Sequence, residues 1–201
     1  MIAIVDYGVG NLFSLGSSFD YLGVKTVVTG DKSVIEKADK IILPGVGAFG
    51  DASKRLKAGG FDQILREQAQ KNKPIMGICL GMQLLFEKGK EYGDFEGLGL
   101  IKGSVVPMQD YVKGLKIPQI GWNKLNIKKQ SPIFKYIKDG DYVYFVHSYH
   151  AVGCDSSLIA TTEYGAEITA VVQSGNVFGC QFHPEKSGEV GLNILKAFTE
   201  I

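Results

Sequence analysis

The stretch Gly77-Ile78-Cys79-Leu80-Gly81 sets a thiol between two glycines, each two residues away. Positions without a Cβ at i−2 and i+2 leave room for a very tight strand-to-helix turn, which lifts the middle side chain out of the sheet. Serine hydrolases expose their nucleophile by the same device, G-x-S-x-G. Cys79 is therefore either a nucleophile or, as a lone cysteine usually is, a small buried hydrophobe. Only three histidines are present to act as a base, and His183 is the informative one because Pro184 and Glu185 follow it. Proline biases the preceding residue toward extended backbone. In an extended chain residues i and i+2 face the same side, so Glu185 can hydrogen-bond one imidazole nitrogen while the other faces outward. That is the base-and-orienter half of a triad, and an imidazolium beside a thiol favours the reactive thiolate. Taken alone, the segment reads as a His-Pro turn with a solvated glutamate. An elbow cysteine in the same chain favours a Cys79–His183–Glu185 triad performing acyl transfer.

Acyl transfer through a thiol needs an oxyanion hole. The backbone N–H of Leu80, at a helix N-terminus, is one donor. A second is expected from PGVGAFGD, residues 44–51, where Gly45 and Gly47 flank Val46 and permit backbone orientations closed to other residues. GVGAFG also has G-x-G-x-x-G spacing, but no acidic residue ends a second strand about 20 residues on, and G-x4-G-K-[ST] is absent. No C-x2-C or H-E-x-x-H pair occurs, and His147 and His150 lie in a strand-to-loop stretch, so no metal is expected.

The elements that must position these residues follow from periodicity. Residues 2–5, 24–28, 40–43 and 74–78 read as strands, and 11–22, 49–58, 61–71 and 80–88 as helices. Leu12, Leu15, Phe19 and Leu22 face inward from the first helix. Apolar strands alternating with helices mean a parallel sheet covered on both faces. The second half changes character: 105–107, 124–127, 142–146, 158–163, 168–173 and 177–182 are strand-like, QSGNVFG reads as a hairpin turn, and 188–199 closes with a helix. One α/β domain with a mixed sheet, residues 1–201, is expected.

Bulk properties exclude several classes. The 201 residues carry a net charge of +1, 45% hydrophobic and 21% charged side chains, which gives no electrostatic case for nucleic acid or an anionic membrane. The lysines of NKLNIKKQ read as the wet face of a strand. No apolar run approaches the ~18 residues of a membrane span, and the opening MIAIVDYG has no basic leader. Three widely spaced cysteines, Cys79, Cys154 and Cys180, argue against a disulfide framework and for a reducing cytoplasm.

With these residues in view, GICLGMQLLFE, LPGVGAFGD, IPQIGWN, YFVHSYHA and FHPEKSG resemble the class I (triad) glutamine amidotransferases over the whole length. Within that family they are most similar to the glutaminase subunits of imidazole glycerol phosphate synthase. The resemblance implies a flavodoxin-like three-layer sandwich with a mostly parallel central sheet and additional antiparallel strands. It implies that Cys79 attacks the glutamine side-chain amide, that His183 and Glu185 complete the triad, and that backbone groups of Val46, Gly47 and Leu80 hold the oxyanion. Gln83, Glu91, Ser148 and Tyr149 are implied to bind substrate, and no cofactor is implied. The implied partner is a (β/α)8-barrel cyclase of histidine biosynthesis, forming a heterodimer that receives the ammonia. Chemistry points to a partner independently, because ammonia released into water is lost as ammonium and no phosphate or nucleotide motif is left for an acceptor site. Asn11, Trp122, Tyr144 and Lys186 are candidates for the docking face, although a sole tryptophan is equally a core residue. Competing expectations are an amidotransferase subunit of another synthase (anthranilate, aminodeoxychorismate or pyridoxal phosphate), a stand-alone cysteine hydrolase, and a non-catalytic regulatory subunit.

Overall fold

The computed structural model describes residues 1–201. Its central sheet begins with four short strands, β1 (Ile2–Val5), β2 (Thr26–Thr29), β3 (Lys40–Leu43) and β4 (Ile75–Ile78), all but the edge strand β2 apolar, interleaved with helices α1 (Leu12–Tyr21), α2 (Lys32–Lys37), α3 (Phe49–Gly59) and α4 (Phe61–Gln70). Helix α5 (Leu80–Leu84) follows β4 directly. Strands β5 (Phe86–Gly89), β6 (Phe95–Glu96), β7 (Ile101–Pro107), β8 (Gln119–Lys124), β9 (Asn126–Ile127), β10 (Tyr142–His147) and β11 (Tyr149–Val152) come next. The chain ends with β12 (Leu158–Glu163), β13 (Glu167–Ser174), β14 (Val177–Cys180) and α6 (Gly188–Thr199). No helix is long and apolar enough to cross a membrane.

The large sheet runs β2-β1-β3-β4-β14-β13-β12-β9. Its first five strands are parallel and the rest antiparallel, so the parallel part has the flavodoxin-like order with β14 in fifth place. Alternate residues feed opposite faces. Ala3, Val5, Ile41, Leu43 and Ile75 pack under α2 to α5. Ile2, Ile4, Ile42, Met76 and Ile78 pack with Leu15 and Phe19 of α1 and Ile194, Leu195 and Phe198 of α6. Burying both faces is what lets these strands be continuously apolar. Ser174 pairs with Val177 across Gly175-Asn176, the expected hairpin turn.

The helix expected over 80–88 ends at Leu84, and residues 86–89 form β5 instead. A helix running to 88 would need the Leu84 carbonyl for the N–H of Lys88, and any further residues those of Leu85 and Phe86. Here they accept from Leu98, Ile101 and Gly99 at 2.8, 3.0 and 3.0 Å. The short run was compatible with either period, and pairing with a segment distant in sequence decides it. Helix α2 and strands β6 and β11 lie where no element was expected. In α2 the Asp31 side chain caps Ser33 N at 2.8 Å.

Candidate active site

Strands β3, β4 and β14 all end on the same edge of the sheet, the carboxyl edge where open α/β folds gather ligands. Between β4 and α5, Cys79 adopts φ 55 and ψ −113, a strained conformation for a residue with a Cβ. The glycines expected to make this turn possible do so by space. A Cβ at Gly77 would lie 2.6 Å from the Gly81 carbonyl oxygen, and one at Gly81 only 1.8 Å from that of Leu43. Neighbouring strand β14 pins the elbow, because Cys79 N donates to the Cys180 carbonyl at 2.8 Å.

His183 is extended (φ −99, ψ 99), as its proline requires. The route to Glu185 differs from the extended i, i+2 reach expected. Pro184–Lys186 form a 3-10 turn, and Glu185 folds back over it to accept from His183 Nδ1 at 2.8 Å. Both side chains are almost fully buried. Burial alone would lower the imidazole's pKa, but the adjacent Cys79 and Glu185 outweigh it and hold His183 at about 9. The ring is therefore cationic at neutral pH and stands ready to give a proton to a leaving group.

Cys79, Leu80 and His183 line one pocket of about 400 Å³ with Val46, Gly47, Gln83, Glu91, Ser148, Tyr149 and Lys186. That volume suits a small polar molecule. Thus every residue expected to act in the triad, the oxyanion hole or substrate binding reaches this pocket except Glu185, which stands behind His183. Gly47 has the expected positive φ, 90°. Gly45 does not need one; it needs room, since a Cβ there would meet Gly81 N at 2.8 Å and Leu80 Cβ at 2.9 Å. Glu91 already accepts from Phe49 N at 2.6 Å, and burial pushes its carboxyl pKa up against that bond. Of the four docking candidates, only Lys186 lines the pocket. Trp122 is 53% exposed, which removes the core reading, and it meets Tyr144 edge-on at 5.9 Å. Asn11 precedes α1, which packs against the 3-10 turn carrying Glu185.

Several site residues went unread in the sequence. Tyr7 is buried, and its hydroxyl donates to the Pro44 carbonyl at 2.9 Å. Burial, with Cys79 adding to it, raises its pKa so that it stays protonated. His147 lines the pocket, and burial lowers it to about 4, so it is neutral. Its Nδ1 lies 2.8 Å from the Tyr149 carbonyl and so carries the proton, while Nε2 lies 3.0 Å from the Gln119 side-chain amide. Gln181, two residues before His183, is wholly buried against Cys79. A glutamine inside the apolar run Phe178–Phe182 was the available signal.

The class-I glutamine amidotransferase family model matches residues 3–200. The imidazole glycerol phosphate synthase subunit HisH of Caldanaerobacter subterraneus is 53% identical over 100% of this chain and 98% of its own. That of Lactococcus lactis is 52% identical over 99% and 98%. Among solved structures, a glutamine amidotransferase superposes with a TM-score of 0.76 at 17% identity, covering 99% of this chain and 100% of that one. PurLQS from Thermotoga maritima superposes at 0.75 with 22% identity, covering 99% and 97%; both likenesses concern the fold alone. With an elbow cysteine, a His–Glu pair behind it and this match along the whole chain, the protein belongs to the class-I glutamine amidotransferase family, in the branch of the imidazole glycerol phosphate synthase subunits HisH.

Proposed function

We propose that this chain is the glutaminase subunit of an imidazole glycerol phosphate synthase, hydrolysing glutamine to glutamate and ammonia for histidine biosynthesis. The observation that carries the reading is the Cys79–His183–Glu185 arrangement in a chain about half identical to HisH subunits over its full length. Cys79 Sγ attacks the side-chain amide carbon, and the resulting oxyanion is held by backbone groups of Val46, Gly47 and Leu80. Protonated His183 gives its proton to the departing nitrogen; the C–N bond breaks and ammonia leaves a γ-glutamyl thioester. Neutral His183 then takes a proton from water, whose oxygen attacks the thioester. Glutamate departs and the thiol is restored. Glu185 orients the ring throughout. Gln83, Ser148 and Tyr149 bind the substrate, with Glu91 facing its ammonium.

Ammonia is useful only while unprotonated, so the acceptor site belongs to a docked partner, a (β/α)8-barrel cyclase. It joins the ammonia to a phosphoribulosyl-formimino aminoimidazole carboxamide ribonucleotide, giving imidazole glycerol phosphate and aminoimidazole carboxamide ribonucleotide. Asn11, Trp122, Tyr144 and Lys186 are assigned to the docking face; the exposure of Trp122 and the place of Lys186 in the pocket lining support this. We read residues 1–201 as one amidotransferase domain acting in the cytoplasm, where a free thiol persists. The test is glutamate release with and without the cyclase and its nucleotide. Strong stimulation by both is expected; stimulation by a chorismate enzyme instead would move the chain to another synthase.

A further inference from the structure

We propose that Gln181 belongs to the reacting centre: it supplies an N–H to the Cys79 sulfur, aimed there by the Tyr149 carbonyl acting through Gln83. The proposal rests on Cys79 being the nucleophile. Gln181 Nε2 lies 3.9 Å from Cys79 Sγ, and Gln181 Oε1 lies 3.0 Å from Gln83 Nε2. Gln83 Nε2 also lies 3.2 Å from the Tyr149 carbonyl oxygen. The polarity of this chain is not free. A backbone carbonyl only accepts, so the amine end of Gln83 must face Tyr149. Its second N–H then points at Gln181, whose near end must be the oxygen. The far end of Gln181, at the sulfur, is therefore its NH2.

The anchor is firm. The Tyr149 carbonyl is also 2.8 Å from His147 Nδ1, so both of its lone pairs are engaged. Gln181 itself is fully buried, and its backbone N donates to the Ala170 carbonyl at 2.8 Å. Its side chain has no route to water and finds its partners in this chain. A donor at sulfur binds thiolate better than thiol, and it strengthens as charge gathers there. The charged and titratable groups around the sulfur are few. His183 faces it from beyond β14, Tyr7 from beyond β1 and Cys180 from β14 itself. Glu185 stands behind His183, while Glu91, His147, Tyr149 and Lys186 share the pocket. Tyr7 spends its O–H on the Pro44 carbonyl, so Gln181 is the neutral donor aimed at the sulfur, and its contribution persists when His183 has given up its proton.

The experiment alkylates Cys79 of the full chain with iodoacetamide, site by site by mass spectrometry, near pH 7 and near pH 10. At the higher pH an ordinary thiol is already largely ionised. Gln181→Met keeps the volume and removes the donor. It should slow alkylation about tenfold near pH 7, the size of one hydrogen bond to a charged group, and leave it close to wild type near pH 10. The kcat for glutamine should fall by a similar factor with KM within about twofold. Gln181→Glu keeps the oxygen facing Gln83 and puts an acceptor at the sulfur; it should show the same or a larger loss, and it tests the contact should the methionine variant fold poorly. Unchanged alkylation, or equal slowing at both pH values, would overturn the proposal and leave Gln181 a packing residue. A wild-type chain that hydrolyses no glutamine even with the cyclase and its nucleotide present would instead overturn the glutaminase reading, while the alkylation ratio would still report on Gln181.

Discussion

The main-chain N–H of His183 donates to the carbonyl of Tyr144 at 3.0 Å. The tie is reciprocal: Tyr144 N donates to Ser187 Oγ at 2.9 Å, and Ser187 Oγ donates to the His183 carbonyl at 2.6 Å. Strand β10, whose other neighbour is β8 with its exposed Trp122, is thereby fastened to the turn that presents the imidazole. A load on the β8–β10 ribbon reaches His183 through three short hydrogen bonds rather than through side-chain packing.

Ser187→Ala tests this fastening. The hydroxyl is buried, so its loss orphans Tyr144 N and costs about 1–2 kcal/mol. Because the variant frees the His183 turn without touching the pocket wall, glutamine kcat should fall while KM changes little. Steady-state kinetics beside a urea titration measures both. A KM effect with unchanged kcat would place Ser187 in substrate binding instead.

Gly81→Ala should be among the most damaging single changes in the chain. The added carbon would sit 1.8 Å from the Leu43 carbonyl oxygen, which is backbone and has no alternative rotamer. Strand β3 and helix α5 must part, moving the Pro44–Gly47 segment away from the elbow. A loss upward of about 3 kcal/mol is expected, read as a fall in thermal midpoint together with loss of glutaminase activity. Gly16→Ala, on the exposed side of α1 with nothing within 4 Å, is the matched control and should be neutral or slightly stabilising.

Two cysteines at neighbouring strand ends should behave oppositely. Cys79→Ala should abolish glutamine-dependent synthesis by the assembled pair while free ammonia still supports the cyclase. Cys180 shares the core with Phe178 and Phe182 and is fully buried; Cys180→Ala should cost about 1 kcal/mol and leave glutamine hydrolysis intact. Labelling by a glutamine-like electrophile at Cys180 in place of Cys79 would reverse the assignment.

The parts of this molecule legible in the sequence are those fixed by neighbours in the chain. The alternation of IAIV, KIIL and PIMGI with amphipathic helices gave the parallel sheet, and glycines two residues either side of Cys79 gave the elbow. The His183–Glu185 pair was visible because Pro184 stands between its members, although the turn proved to be 3-10 rather than extended. What escaped depends on distant partners. Strand β5 forms because residues 98–101 take the carbonyls that a helix would use. Gln181 meets Gln83 across 98 positions of sequence. Gly45 was expected to supply a backbone orientation closed to other residues, and its requirement is the room taken by Leu80 and Gly81. No local pattern encodes any of these three contacts.

The histidines should give the chain a stability maximum near neutrality, each limb with a different owner. An unfolded histidine titrates near 6.5, at about the model-peptide value. His183 is held at about 9, burial being outweighed by Cys79 and Glu185. Between those values the folded chain keeps a proton that the unfolded chain has released, so stability falls as pH rises. Its contribution is complete below about 6.5 and gone once pH passes about 9. His147 and His150 act in the other direction, since burial lowers both to about 4. Their contribution is complete above about 6.5 and lost as pH falls through about 4. Denaturant midpoints measured across this range locate both limbs. His183→Gln should flatten the alkaline limb alone, and Cys79→Ala should shrink it, because the Cys79 side chain is the largest influence holding that imidazole up. His150→Phe should flatten part of the acid limb. It should also stabilise the chain at neutral pH, because both ring nitrogens are buried without a partner and a phenyl ring keeps the edge-on contact with Tyr111. An alkaline limb that survives in His183→Gln unchanged would mean that the imidazole does not hold the proton kept in the fold, and the charge assigned to His183 would have to be withdrawn.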